Sequence, residues 1–163
     1  MADTQITQEG LAESLRLDQK RFDRITQSLR ETEQVTPFTP EGWSVKDFLA
    51  HMAHWKQAAH ASLVAFVHDQ PYPAVVESGD EANATQQQVY AALSLQEAQS
   101  FWQETHMHML HLVVDELDEH HLTEEVHVPW DEEDTEQACG LVAEMCGHDG
   151  EHFELIEKHF KLS

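Results

Sequence analysis

The 163 residues fit one domain of ordinary size, spanning 1–163 and long enough to bury a core without disulfide or metal staples. Nine Lys and Arg stand against 31 Asp and Glu, a formal net charge of −22, and such a chain repels phosphate backbones and anionic bilayers, which argues against nucleic-acid and membrane partners. The start, MADTQITQEG, lacks a basic stretch leading into an apolar core, and no run of about 18 apolar residues follows anywhere, so a cytoplasmic protein is expected.

Residues 8–31 place Leu11, Leu15, Phe22, Ile25 and Leu29 at the spacing of an amphipathic helix. TPFTPEGW, with two prolines and a glycine, reads as a connector. Ser44 and Asp47 then form a capping box that opens a second helix over about 44–67, with Val45, Phe48, Met52, Ala59, Leu63 and Phe66 on its buried side. HDQPYPAVVESGDEAN is long for a bundle turn and reads as a crossover, followed by a short helical piece around 85–93. A second capping box, Ser94 with Glu97, launches a third helix through about Asp118, its apolar side carrying Phe101, Trp102, Met109, Leu112, Val113 and Leu117. Residues 119–133 contain Pro129 and many acids, after which Asp134 or Thr135 caps a last helix reaching about Phe160. No segment has a sustained period of two, and VHVPW is too short to build a sheet. The expected fold is all-α, a four-helix bundle with its long connection between the second and third helices.

Three histidines carry the main chemical signal. His148 and His152 stand one helical turn apart, so their side chains share a face, and His51 follows a well-marked helix start. With about 100° per residue, Leu141, Met145, His148, His152, Leu155, Ile156 and His159 fall in one sector expected to face inward. Two inward imidazoles need partners, which a shared ion or separate backbone and Glu contacts would each supply. His51 lies at the edge of its helix's apolar sector and by position alone can face core or solvent. Among 13 histidines, His51 with His54 and His108 with His111 are rival pairs, and His106 or His108 can enter the core as a hydrogen-bonded residue. A three-histidine set leaves coordination positions open for water or substrate, as reactive sites require. Cys139 and Cys146, roughly 10 Å apart along one helix, are too distant to bridge, and Cys146 points about 160° away from His148. Glu144 and Glu151 are carboxylates near the pair, as base, orienting group or simply solvated acids.

GWSVKDFLAHMAHW, the long irregular connection and the closing GHDGEHFELI together make the chain resemble the DinB-like (YfiT-like) superfamily of four-helix-bundle metalloproteins over nearly its whole length. The resemblance implies an up-down-down-up bundle, commonly a homodimer, with His51, eight positions after Trp43, and the His148–His152 pair holding nickel, zinc, iron or manganese. It further implies a hydrolase or an enzyme using a low-molecular-weight thiol for isomerisation or S-transfer. The resulting expectation is a metal-dependent enzyme acting on a small molecule. The alternative is a non-catalytic bundle that binds and sequesters a small ligand, and a third possibility is a protein-interaction module built on the acidic surface.

Overall fold

The computed structural model describes residues 5–163; the first four residues of the start read above lie outside them. Seven α-helices form among the described residues: α1 Gln8–Ser28, α2 Glu31–Val35, α3 Val45–Val67, α4 Asp80–Tyr90, α5 Leu95–His111, α6 Glu119–Thr123 and α7 Ala138–Phe160. Four of them, α1, α3, α5 and α7, make the bundle. Its neighbours run α1 to α7, α7 to α3, α3 to α5 and α5 back to α1, so α1 lies diagonal to α3. The architecture is therefore the expected all-α bundle.

Local chemistry explains the helix starts. Thr7 accepts from the Gly10 amide to open α1, and Ser44 with Asp47 and Ser94 with Glu97 form the two capping boxes that open α3 and α5. The C-terminal end of α5 is less regular. After His111 the helix widens into a π-helical turn over Leu112–Glu116, where the Leu117 amide bonds the Leu112 carbonyl. The carbonyls released there accept from the Gln8 side chain, which reaches Val113 at 2.8 Å and Leu117 at 2.7 Å.

Three departures from the sequence reading matter for the site. The first predicted helix breaks after Ser28 and resumes as the short α2, with Leu29 extended at the break. Glu125–His127 and Thr135–Gln137 pair as an antiparallel two-stranded ribbon, β1 and β2, where no strand was expected. Three residues per strand are too few for a periodic signal; the cross-strand bonds between two segments of the same connection decide it. Consequently α7 starts at Ala138, with Gln137 at the cap position but no side-chain cap bond, and Asp134 and Thr135 belong to the ribbon's turn and β2.

The connection between α3 and α5 contains α4, which packs along α3. Lys46 anchors its end by donating to the carbonyls of Ala91 and Leu93, and the Val76 amide ties the irregular part to Pro129 beside the ribbon. These contacts lay the crossover along α3, from Lys46 in its first turn to the ribbon beside Pro129. No helix among the described residues is long and apolar enough to cross a membrane.

Candidate metal centre

His51 on α3 and His148 and His152 on α7 converge. Nε2 of His148 lies 3.1 Å from Nε2 of His51 and 3.1 Å from Nε2 of His152, so His148 is the middle ring of the three. Among the described residues this is the one group of three or more His, Cys, Asp or Glu whose donor atoms all approach within 4.8 Å. His51 is only 6 % exposed and packs edge-on against Trp43 at 5.1 Å. Gly42, with φ +84, makes the reversal that sets Trp43 there, a backbone conformation side chains rarely adopt. His152 rests on Phe48.

The donor set fits a divalent transition-metal ion. Nitrogens 3.1 Å apart, each at the usual 2.0–2.1 Å from one ion, subtend an angle of about 95–100°, between the octahedral and tetrahedral values. Burial first, and then mutual repulsion with the neighbouring rings, lower the pKa of His51 to about 3 and of His152 to about 4, so both present neutral imidazoles near pH 7. One proton cannot satisfy two 3.1 Å Nε2 contacts at once, whereas one shared cation satisfies all three lone pairs.

The rings are placed by a face of α7 that differs from the expected one. The buried residues of α7 are Ala138, Cys139, Leu141, Val142, Met145, Asp149, Phe153 and Ile156, whereas Leu155 and His159 are exposed. The buried arc is thus turned by about 60° from the predicted sector, and His148 and His152 stand at its edge. That edge position opens them to two cavities. One, of 520 Å³, is lined by Trp43, Phe48, His51 and His152 on the bundle side and by Asp80, Asn83 and Gln87 of α4 on the other. The second, of 280 Å³, is lined by His51, His148, Trp55, Met145, Glu144 and Trp130 from the ribbon's turn. Asn83 borders both. A larger depression of 860 Å³ between α1 and α7 touches none of the three histidines.

Lys56, Trp102 and Asp149 escaped the sequence reading. Lys56 is fully buried, and its ammonium pairs with Asp149 Oδ2, donates to His106 Nδ1 at 2.9 Å and lies over the Trp102 ring. Trp102 Nε1 donates to the same Oδ2 at 3.0 Å, and His106 Nε2 donates to the Leu15 carbonyl at 2.8 Å. Burial drives the Asp149 carboxyl up, but Lys56 and the hydrogen bonds outweigh it and hold it at about 2. A signal was present, because Lys56 sits four residues after Met52 and three before Ala59 on the apolar stripe, and Asp149 sits four after Met145. Trp102 was read only as apolar side. His106 enters the core as a hydrogen-bonded residue, as one of the alternatives had it.

The other candidates separate cleanly. His54 bonds the Tyr90 hydroxyl at 2.8 Å, and His108 stacks near His60, so His54 and His108 stand apart from the three rings. Both cysteines are free, and burial pushes the Cys146 thiol to about 12. Glu144 reaches the smaller cavity while exposed; Glu151 is exposed and lines neither cavity.

Residues 14–156 match the family model of the DinB superfamily. The chain belongs to the DinB superfamily. No curated protein and no solved structure matches it. Membership in the superfamily agrees with the bundle.

Proposed function

We propose that this DinB-superfamily protein is a metal-dependent enzyme acting on a small molecule, as a hydrolase or a transferase that uses a low-molecular-weight thiol. The carrying observation is the convergence of the three Nε2 atoms at the junction of two cavities that admit a ligand from the α4 side and the ribbon side. His51, His148 and His152 would hold the ion, which when bound supplies a Lewis acid that lowers the pKa of a water or thiol ligand. Trp43, Phe48, Trp55 and Trp130 shield the site from bulk water. The Glu144 carboxylate is the group placed to accept a proton in the smaller cavity. No Lys or Arg lines either cavity, which favours a neutral or cationic substrate in a chain of net charge −22. Neither cysteine is placed to serve as an internal nucleophile, consistent with an exogenous thiol or water.

Elemental analysis of protein purified without a His tag or metal column tests this reading. Near-stoichiometric nickel, zinc, iron or manganese, lost in His148→Ala and His152→Ala, is the expected result. A folded wild-type chain that takes up none of these ions would overturn it. Small-ligand binding that survives metal removal would favour sequestration instead.

A further inference from the structure

A single polar chain crosses the bundle beneath the three rings, and its hydrogen-bond direction is determined at each link. The Leu15 carbonyl can only accept, so the proton of the His106 ring sits on Nε2 and leaves Nδ1 as an acceptor. The Lys56 ammonium fills that acceptor and also donates to Asp149 Oδ2. Trp102 Nε1, a donor only, goes to the same oxygen. The ammonium and the indole therefore converge on one carboxylate oxygen. The other, Oδ1, is buried without a partner, and 3.6 Å from it lies Nδ1 of His148, likewise buried without a partner.

That separation is longer than a hydrogen bond, but the two atoms have complementary needs. A carboxylate oxygen accepts and does not give, so the link closes only with the imidazole proton on Nδ1. A neutral ring protonated there presents a bare lone pair on Nε2, the atom that faces both His51 and His152. His51 has no such support, since its own Nδ1 is buried and unpartnered. We propose that Asp149 is a positioning residue that fixes the tautomer of His148: the Leu15–His106–Lys56–Trp102 network orients its carboxylate so that the middle ring keeps its proton on Nδ1 and turns Nε2 toward the shared ion. This inference rests on the metal-binding reading for its purpose, but the tautomer itself does not. A role in core packing alone would demand no particular tautomer.

Nitrogen chemical shifts of the histidine rings in metal-free wild-type protein at mildly alkaline pH test it directly. Nδ1-protonated His148 is expected, and an Nε2-protonated ring overturns the inference. Asp149→Asn is the matching variant: its carbonyl oxygen can keep Lys56 and Trp102, while its amide turns a donor toward His148 and drives the proton to Nε2. Zinc or cobalt affinity, measured by competition with a chelator, should then fall about 10- to 100-fold. An Asp149→Asn protein with native helicity, unchanged zinc affinity and an unchanged His148 tautomer overturns the inference. If Asp149→Asn does not fold, the wild-type spectrum decides alone. A wild type that binds no ion would sink the proposed function, while the tautomer would still be read from the same spectra.

Discussion

Two polar clusters adjoin each other in this bundle, and they differ in how their hydrogen bonds are settled. Around Lys56, every donor has an acceptor: ammonium with carboxylate and imidazole, indole with carboxylate, imidazole with a backbone carbonyl. Around His148, one Nε2 is shared between the rings of His51 and His152, and Nδ1 of both His51 and His148 is unpartnered. A buried polar group without a partner costs on the order of 1–3 kcal/mol. Every donor of the first cluster is thus matched within the polypeptide and only Asp149 Oδ1 is left over, whereas in the second the ring nitrogens lack a full set of partners. The contrast is one of structure and proposed function: matched polarity supports the bundle, and unmatched polarity lies where the proposed ion would bind.

The largest effect should come from breaking the saturated cluster. Lys56→Met strands a carboxylate that is 1 % exposed, and removing one member of a buried pair typically costs about 3–5 kcal/mol. Thermal unfolding should fall by about 10 °C at this chain length. If Lys56→Met melts like the wild type, the pair does not hold the core. Replacing both partners, as Lys56→Met with Asp149→Leu, should recover much of the loss.

Acid should act next, and through both clusters. The pKa of His51 and of His106 is depressed to about 3 and that of His152 to about 4, from an ordinary value of 6.5, chiefly by burial. Below 6.5 the unfolded chain therefore binds protons that the folded chain refuses, and stability falls as the pH drops from 6.5 toward 3. Asp18 opposes this. Burial, then Asp149, raises its carboxyl from 3.8 to about 7, so the folded chain holds an extra proton across that window. Three rings against one carboxyl leave a net loss on acidification, measurable by urea unfolding of metal-free protein at a series of pH values. A flat or rising stability from pH 6.5 to 4 would contradict it.

A smaller effect isolates that opposing group. Asp18 is buried with an unpartnered oxygen, so Asp18→Asn should stabilise the protein above pH 7 by on the order of 1 kcal/mol or more, and less below pH 5. The smallest expected change is in the unsatisfied cluster: His148→Ala should shift the stability of metal-free protein by less than about 1 kcal/mol, because the ring's Nδ1 is unpartnered and its Nε2 is shared between two imidazoles. A loss as large as that of Lys56→Met would show that the histidines serve the fold itself.

Much of the bundle was legible from residues that act on their near neighbours. Ser44 with Asp47 and Ser94 with Glu97 marked the two helix starts to the residue, since a capping box closes within three positions. The His148–His152 pair was equally plain, because helical spacing alone puts the two on one face. The ribbon was not, as its strands are three residues long, and neither was the rotation of α7, where Asp149 rather than His152 lies near the middle of the buried arc. Lys56 and Asp149 carry charges that are seldom buried, so position on an apolar stripe did not by itself mark either as core. They tolerate burial only as a pair, and that pair joins positions 93 apart in the chain. The local code of caps and helical periods thus determined the helices and which histidines share a face. Tertiary packing alone decided that His51 meets the other two and that a buried carboxylate stands behind His148, because both depend on contacts between helices that no local spacing records.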